Sequence, residues 1–274
     1  MSPTRRPGTL VSERRGAVAR LALLNSMVSR DIEESLDRQK AWGLEVLDIK
    51  DAVFGKNIED LNEGEALRLA VLCRERGLQI WTLSSGLFFE DIEKGPGAFR
   101  VHLDKVAGLI RVAQVLKPRQ IRFLIARSSR TALSGKRMAE AIKKNPWLMD
   151  MYQEAVDRAA EAGFPVTLEN EVHGCLVSTA GEALEFFEAL KRPEKAKMTW
   201  DIQNLWQEGT FPSLDVYQAL KPLIGMVHVK GGKSRTHGGS LAEASSLETA
   251  SWPVRMLLRA VLDDGVSPVL CLNP

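Results

Sequence analysis

The feature that most constrains this fold is a regular alternation of short apolar runs with longer segments of helical periodicity. Eight runs have the residue types of strands, and a helix-like segment follows each of the first seven. The runs recur about every 35 residues, a spacing at which strands pair in parallel through right-handed crossovers. They are ARLALLN, LEVLDIK, LQIWTLS, RQIRFLIA, PVTLENE, KMTWDI, IGMVHVK and SPVLCLN.

Eight such strand–helix units predict an α/β fold, the (β/α)8 TIM barrel of about 250 residues. The alternative is an open, doubly wound sheet, which usually has a glycine-rich phosphate loop after its first strand, and LALLNSMVSRD has none. Helices are predicted in EALRLAVLCRERG and YQEAVDRAAEAG, which end at Gly77 and Gly163. No linker or low-complexity stretch interrupts the pattern, which predicts one domain over residues 1–274.

The sequence stops at Pro274, directly after the eighth run, so the last helix of the barrel is missing from this chain. Three interpretations stay open. One side of the barrel is open, a partner such as a second copy in a homo-oligomer covers it, or the sequence is a shortened form of something longer. The first and last strands would then expose apolar side chains such as Val18, Leu21 and Val269.

Composition excludes several classes of function. The formal net charge is only +2, so no strong field attracts nucleic acid or an acidic membrane surface. No apolar run reaches the ~18 residues of a membrane span. Cys73, Cys175 and Cys271 are far apart and form no CxxC pair, which favours reduced thiols in the cytoplasm.

Polar residues collect at the carboxyl ends of the predicted strands, where chemistry is located in such barrels. Strands five, six and seven end in Glu169, Asp201 and His228, whereas the interior parts of the strands are Val, Leu, Ile and Met. Two carboxylates and an imidazole on adjacent strands suit a divalent ion such as Mn²⁺, Mg²⁺, Co²⁺ or Zn²⁺. Such a set leaves coordination positions open for substrate oxygens.

Further candidates lie near these strand ends. Glu171 shares the face of Glu169 and is predicted to contact the substrate or to support the ligands. His173 follows in the loop EVHG and is a candidate acid or base. Lys233 and Arg235 belong to the glycine-rich loop KGGKSRTHGGS, which is predicted to form a lid that binds an anionic substrate group.

The motifs VTLENE, TWDIQN followed by WQEG, and MVHVKGG resemble those of the xylose isomerase-like TIM barrels, a superfamily of sugar isomerases and epimerases. The resemblance covers nearly the whole chain. It implies that Glu169, Asp201 and His228 are metal ligands, that Asn204 follows the strand-six ligand towards the substrate, and that Lys230 orients a substrate oxygen.

The chain departs from the family pattern at strand eight. Ketose epimerases of this family have there a second Glu that is both ligand and catalytic group, and Asn273 takes its place in VLCLNP. An amide oxygen can still contact a metal, but an amide cannot take up a proton at neutral pH. A two-base epimerase is therefore in doubt, whereas aldose–ketose isomerisation, which needs one base, is compatible with Asn273.

The resemblance implies an enzyme of carbohydrate metabolism, a metal-dependent isomerase or epimerase of a sugar or sugar-like polyol. The reaction would pass through an enediolate that the divalent ion stabilises, with Glu169 or His173 moving the proton. Two alternatives stay open: a dehydratase or lyase on a related polyol, and a binding or partner subunit with weakened chemistry. Nuclease action fits less well, because trinuclear zinc sites need many histidines and this chain has four.

Overall fold

Eight parallel strands form the wall of a nearly closed barrel in the computed structural model, which describes residues 9–11, 18–130 and 136–273. The strands are β1 (Val18–Leu23), β2 (Val46–Ile49), β3 (Gln79–Ser84), β4 (Gln120–Leu124), β5 (Val166–Glu169), β6 (Ala196–Asp201), β7 (Ile224–Val229) and β8 (Val269–Leu272). Their order around the sheet is β1-β8-β7-β6-β5-β4-β3-β2, and an isolated parallel bridge between Leu24 and Asp48 joins its two ends. The predicted (β/α)8 barrel is confirmed.

Helices connect the strands on the outside of the barrel. They are α1 (Asn25–Val28), α2 (Ile32–Ala41), α3 (Glu63–Glu75), α4 (Pro96–Leu116), α5 (Arg137–Lys144), α6 (Trp147–Glu161), α7 (Ala180–Leu190), α8 (Ile202–Gln207), α9 (Leu214–Leu220) and α10 (Val254–Asp264), with 3-10 turns at Ile58–Asp60 and Ile92–Lys94. The predicted glycine stops are confirmed after α3 and α6, where Gly77 and Gly163 have φ values of +63° and +91°. Glycine adopts this left-handed backbone without steric cost.

Three short strands lie outside the parallel wall. Thr9–Val11 pairs antiparallel with the first half of β1, with Thr9 opposite Arg20. Lys233–Ser234 and Leu241–Glu243 form a small antiparallel hairpin between β7 and α10. None of the helices in the described ranges is long and apolar enough to cross a membrane.

The barrel interior contains polar contacts between strands. Gln120 of β4 donates to Thr82 of β3 at 3.0 Å, and both contact the sulfur of Met226, which lies across the barrel on β7. Thr199 donates to Thr167 at 2.8 Å. The main hydrophobic core includes apolar residues of both the strands and the helices.

The prediction of exposed strand residues needs correction at one position. Val269 is fully buried in a small interior cluster with Ala22, Val46, Met226 and Cys271. Since side chains alternate along a strand, the outward residues of β8 are Leu270 and Leu272. Those two and Leu21 line an apolar groove beside α10. The side chain of Val18 lies outside the described part of the structure.

Candidate metal centre

The ends of β5, β6 and β7 bring three predicted ligands together at the mouth of the barrel. Glu169, Asp201 and His228 are all at least 98% buried. His228 Nδ1 is 2.9 Å from Glu169 Oε1 and 4.0 Å from Asp201 Oδ2. Ligand atoms of all three residues lie within 4.8 Å of one another. Atoms that share one ion at ~2.0–2.2 Å are at most about 4.4 Å apart, so only small shifts separate this arrangement from coordination.

Asp201 caps a helix with one carboxylate oxygen and faces the centre with the other. Its Oδ1 accepts a hydrogen bond from the backbone N–H of Asn204 at 2.9 Å and so caps α8. Its Oδ2 faces the centre, where Lys230 Nζ approaches to 2.8 Å. One carboxylate therefore begins a helix with one oxygen and offers the other to the site.

Three amide or ammonium groups hold the strand ends in place. Asn170 pairs with the backbone of Asp201 in both directions, at 2.9 and 3.0 Å. Asn204 donates to the carbonyl of Asn170 at 3.1 Å and accepts from Lys230 Nζ at 2.9 Å. The predicted substrate residues Asn204 and Lys230 thus lie next to Asp201 and contact each other.

Asp48 of β2 is a functional candidate that the sequence interpretation left unassigned. It is fully buried, and its Oδ2 lies 3.1 Å from His228 Nε2. A carboxylate that accepts from one imidazole nitrogen leaves the lone pair of the other nitrogen free for a metal, an arrangement typical of metal-binding histidines. The sequence feature that could have indicated a role for Asp48 is its place as the one acid in a strand of four buried residues, Val46–Ile49.

Arg122 of β4 is the second residue that sequence reasoning missed. Its guanidinium is 1% exposed, and its Nε lies 3.0 Å from Glu169 Oε2. Burial alone would raise the pKa of Glu169, but the charges of Arg122 and His228 hold it well below the usual range. Glu169 is therefore ionised, as a metal ligand must be. The sequence feature that could have indicated Arg122 is its charge in the middle of the apolar run RQIRFLIA.

Asn273 reaches the centre from the end of β8, where the family pattern predicts a carboxylate. The residue is 6% exposed, and its Nδ2 is 3.5 Å from Asp201 Oδ2. Its Oδ1 is buried without a hydrogen-bond partner in the structure. An amide oxygen with no partner is available as a neutral ligand.

Glu171 and His173 lie nearer the solvent. Glu171 is half-buried, and Asn204 Nδ2 approaches its Oε2 to 3.4 Å. Burial and the neighbouring charge of Glu169 raise the pKa of Glu171. His173 is exposed, with a left-handed backbone at φ +59°. The structure thus places Glu171 at the rim of the centre and His173 outside its buried part.

The hairpin after β7 does not bring Lys233 and Arg235 into the buried centre. Lys233 Nζ lies 3.8 Å from Glu243 Oε1 within the hairpin, and Arg235 is exposed. The hairpin packs on α8, where Trp206 donates to the carbonyl of Gly239 at 2.8 Å. The predicted role of both residues in anion binding stays a prediction, without a contact at the centre to support it.

A family model described as xylose isomerase-like TIM barrel matches residues 36–266 of this sequence. The chain belongs to this family. Among proteins with curated descriptions, none matches the sequence. The family assignment confirms the resemblance carried by the motifs at the ends of β5, β6 and β7.

Solved structures of this fold resemble the chain at low sequence identity. A xylose isomerase-like TIM barrel protein from Mycobacterium smegmatis in complex with magnesium has a TM-score of 0.66 at 17% identity, over 87% of this chain and 80% of that one. D-psicose 3-epimerase from Clostridium cellulolyticum H10, solved with D-tagatose, has 0.70 at 14%, over 93% and 84%. The probable 3-DHS dehydratase AsbF from Bacillus anthracis has 0.68 at 16%, over 92% and 91%. At these identities the likeness shows the fold.

The donor set of this centre fits a divalent ion. Asn273 Oδ1 is buried without a hydrogen-bond partner, and His228 Nδ1, on the neighbouring strand, faces the carboxylate of Glu169 at 2.9 Å. Buried polar atoms in proteins are nearly always satisfied, so an unpaired amide oxygen beside two carboxylates and an imidazole fits a cation that these groups share. Glu169, Asp201, His228 and Asn273 would hold the ion, with Asp48 fixing the imidazole.

Metal affinity is expected to increase with pH. Burial disfavours the charged imidazole, but the carboxylates of Glu169 and Asp48 outweigh it and raise the pKa of His228 to about 10. An incoming ion must therefore displace the proton on Nδ1, so apparent affinity should rise about tenfold per unit between about pH 6 and pH 8. Competition with a chromophoric chelator measures this slope. A flat profile would show that His228 is already neutral in the ion-free protein.

Proposed function

We propose that this chain is a divalent-metal-dependent isomerase or epimerase that acts on a sugar or sugar-like polyol. The observation that carries the proposal is the convergence of Glu169 Oε1, Asp201 Oδ2 and His228 Nδ1 at the mouth of the barrel. The three buried, unbridged cysteines support a place in the reducing cytoplasm.

A divalent ion at this position would polarise a substrate carbonyl and the neighbouring hydroxyl, and so stabilise the enediolate left when the intervening C–H loses its proton. The protein's own groups would orient the substrate. The side chain of Lys230 is 16% exposed, and its Nζ lies 2.8 Å from Asp201 Oδ2 and 2.9 Å from Asn204 Oδ1. We expect it to donate a hydrogen bond to a substrate oxygen next to the ligands.

Glu171 is better placed than Glu169 to move the proton. Glu169 faces Arg122 with one oxygen and His228 with the other, so both its oxygens are engaged. Glu171 stands at the half-buried rim, where only Asn204 and the backbone N–H of Val172 approach its carboxylate. A general base must reach the substrate and carry a pKa near the working pH, conditions that Glu171 meets more closely.

Glu171→Gln is therefore expected to lose proton transfer while it keeps metal binding. Turnover should fall by about 100-fold or more, in line with the usual contribution of a general base, and metal content should stay at the wild-type level. His173→Asn is the matched variant for the other predicted base, and its turnover should stay close to the wild type. Full activity of Glu171→Gln with loss in His173→Asn would assign the proton to His173 instead.

A dehydratase is the second candidate, favoured by Asn273. Loss of a β-hydroxyl after proton removal needs no second carboxylate to return a proton to the opposite face, and strand eight offers none. The probable dehydratase among the structural neighbours has the same fold.

Proton NMR of metal-loaded protein with a panel of sugars in D₂O separates these functions. Deuterium at a carbon next to a carbonyl, with the molecular mass otherwise unchanged, is expected for an isomerase or epimerase. Loss of one water from the substrate would assign the dehydratase. Unchanged spectra for every sugar that binds would contradict both and favour a binding protein.

Asn273→Glu is expected to tighten metal binding. The substitution places a third carboxylate beside the unpartnered atoms of the centre, and ligand charge count sets divalent-ion affinity. Isothermal titration with Mn²⁺ measures the change, and Asn273→Ala serves as the neutral comparison. Equal affinity in both variants and the wild type would show that this side chain does not contact the ion.

A further inference from the structure

Arg122 is a buried cation with an unused hydrogen-bond donor. Its side chain is 1% exposed, its Nε lies 3.0 Å from Glu169 Oε2, and its Nη1 is buried without a hydrogen-bond partner in the structure. Lys230, by comparison, donates to Asn204 and lies at hydrogen-bond distance from Asp201. Burying a donor of a charged group without a partner is costly. The Nη1 donor of Arg122 therefore indicates a further group that pairs with the guanidinium in the working protein.

The position of Arg122 places that group beside the reacting centre. Glu169 lies between Arg122 and His228. Its Oε2 is 3.0 Å from Arg122 Nε, and its Oε1 is 2.9 Å from His228 Nδ1. The guanidinium and the proposed ion thus share one carboxylate, with an oxygen for each. A ligand that contacts both would place its own polar group next to the oxygens that the ion activates.

The charges of the centre favour an anionic group. Asp48, Glu169 and Asp201 are the fully buried carboxylates, and Arg122 and Lys230 are the cations against them. A divalent ion with a neutral His228 leaves this set with one excess positive charge, because Asn273 brings none. At the rim, the half-buried Lys50 and Glu171 oppose each other. A buried excess charge is unfavourable unless it is paired.

We propose that the substrate is a polyhydroxy acid, whose carboxylate is bound by Arg122, and that a neutral sugar is bound less well. The planar guanidinium matches a carboxylate with two parallel hydrogen bonds, a geometry that a hydroxyl group does not offer. This inference rests on the proposed function, since it names the substrate class of the same centre. It assigns to Arg122 the role of contacting the substrate directly.

Binding of D-gluconate and D-glucitol tests the inference, because the two probes differ in the carboxylate at one end of the same polyol chain. Isothermal titration is run on Mn²⁺-loaded and on chelator-treated protein. Gluconate is expected to bind the wild type at least about tenfold more tightly than glucitol in both forms. In Arg122→Met the two probes should bind within about twofold of each other.

Two further variants make the result specific. Arg122→Lys keeps the buried charge and loses the planar fork, so it should fold where Arg122→Met fails and should show a reduced preference. Arg119→Met removes an exposed arginine just before β4 and should keep the full wild-type preference. Circular dichroism and gel filtration establish that each variant is folded.

Equal affinity of the wild type for both probes would overturn the inference. A full preference for gluconate in Arg122→Met or Arg122→Lys would also overturn it, since the ion alone would then bind the carboxylate. Failure of the protein to take up Mn²⁺, with an Arg122-dependent preference still present, would contradict the proposed metal-dependent function and leave the acid site standing.

Discussion

Asp201→Asn is expected to abolish metal binding while the barrel stays folded. Asparagine is as good a helix cap as aspartate, so the bond to the backbone N–H of Asn204 can persist. The substitution removes the negative charge of Oδ2, which faces the centre. Affinity for Mn²⁺ should fall by more than about 100-fold, because loss of a residue that only supports a ligand already costs ~10–100-fold. Isothermal titration and metal content after gel filtration measure the loss.

Asp31→Asn is the matched control for this variant. Asp31 also caps a helix, α2, by accepting from the backbone N–H of Glu34 at 2.9 Å, but its side chain is exposed, whereas that of Asp201 is buried. Its substitution should change neither metal content nor turnover. Wild-type metal content in Asp201→Asn would mean that Asp201 serves only as a cap, and the centre as described would be wrong.

Asp48→Asn is expected to lower metal affinity by about 10–100-fold, although Asp48 is not a proposed ligand. Its carboxylate accepts from His228 Nε2 and thereby directs the Nδ1 lone pair to the ion. An amide can instead donate to Nε2, which stabilises the tautomer with the proton on Nδ1, where the ion must bind. In the Zn²⁺-loaded protein, ¹⁵N NMR should show a protected Nε2–H in the wild type and lose that protection in the variant.

Glu182→Gln provides a control of the same chemistry elsewhere in the fold. Glu182 is a buried carboxylate that caps α7 and accepts from the backbone N–H groups of Arg137 and Ser178. This variant should lose stability but keep metal affinity. If Asp48→Asn changed stability alone in the same way, the role assigned to Asp48 in orienting the imidazole would be refuted.

The fold and the meeting of Glu169, Asp201 and His228 at one mouth could be predicted from the sequence because both follow local rules. Buried parallel strands appear as short apolar runs, and the carboxyl ends of such strands meet at one mouth. Reading the last residue of each run was therefore enough to find Glu169, Asp201 and His228, and the same rule placed Asn273 next to them.

The supporting residues were not accessible in the same way, because they lie within the strands and not at their ends. His228 of β7 reaches Asp48 of β2, three strands away, and Arg122 of β4 reaches Glu169 on the adjacent strand β5. Such contacts depend on the stagger and tilt of strands, which no local pattern specifies. The prediction that Val269 is exposed was wrong because side chains alternate along a strand. Val269 faces the barrel interior, whereas Leu270 and Leu272 face the groove beside α10.

The loop after β7 shows a third limit. Its glycines and cations predict a lid with Lys233 and Arg235 over the substrate, which stays a prediction. The hairpin that the structure forms there, packed on α8, could not be predicted from them. Charge in a loop predicts affinity for an anion, but the direction in which the loop folds depends on tertiary packing, here on Trp206 and Gln203. Loop placement was the least predictable part of the site.

Anomalous diffraction from crystals of the Mn²⁺-loaded chain shows whether the ends of β5, β6 and β7 bind a divalent ion. We expect one strong peak at the mouth of the barrel, within ~2.0–2.3 Å of Glu169 Oε1, Asp201 Oδ2 and His228 Nδ1. Asp48 should remain hydrogen-bonded to Nε2 of the coordinated imidazole. No peak between these three residues at saturating Mn²⁺, or a peak elsewhere with this centre unchanged, would contradict a metal site at this position.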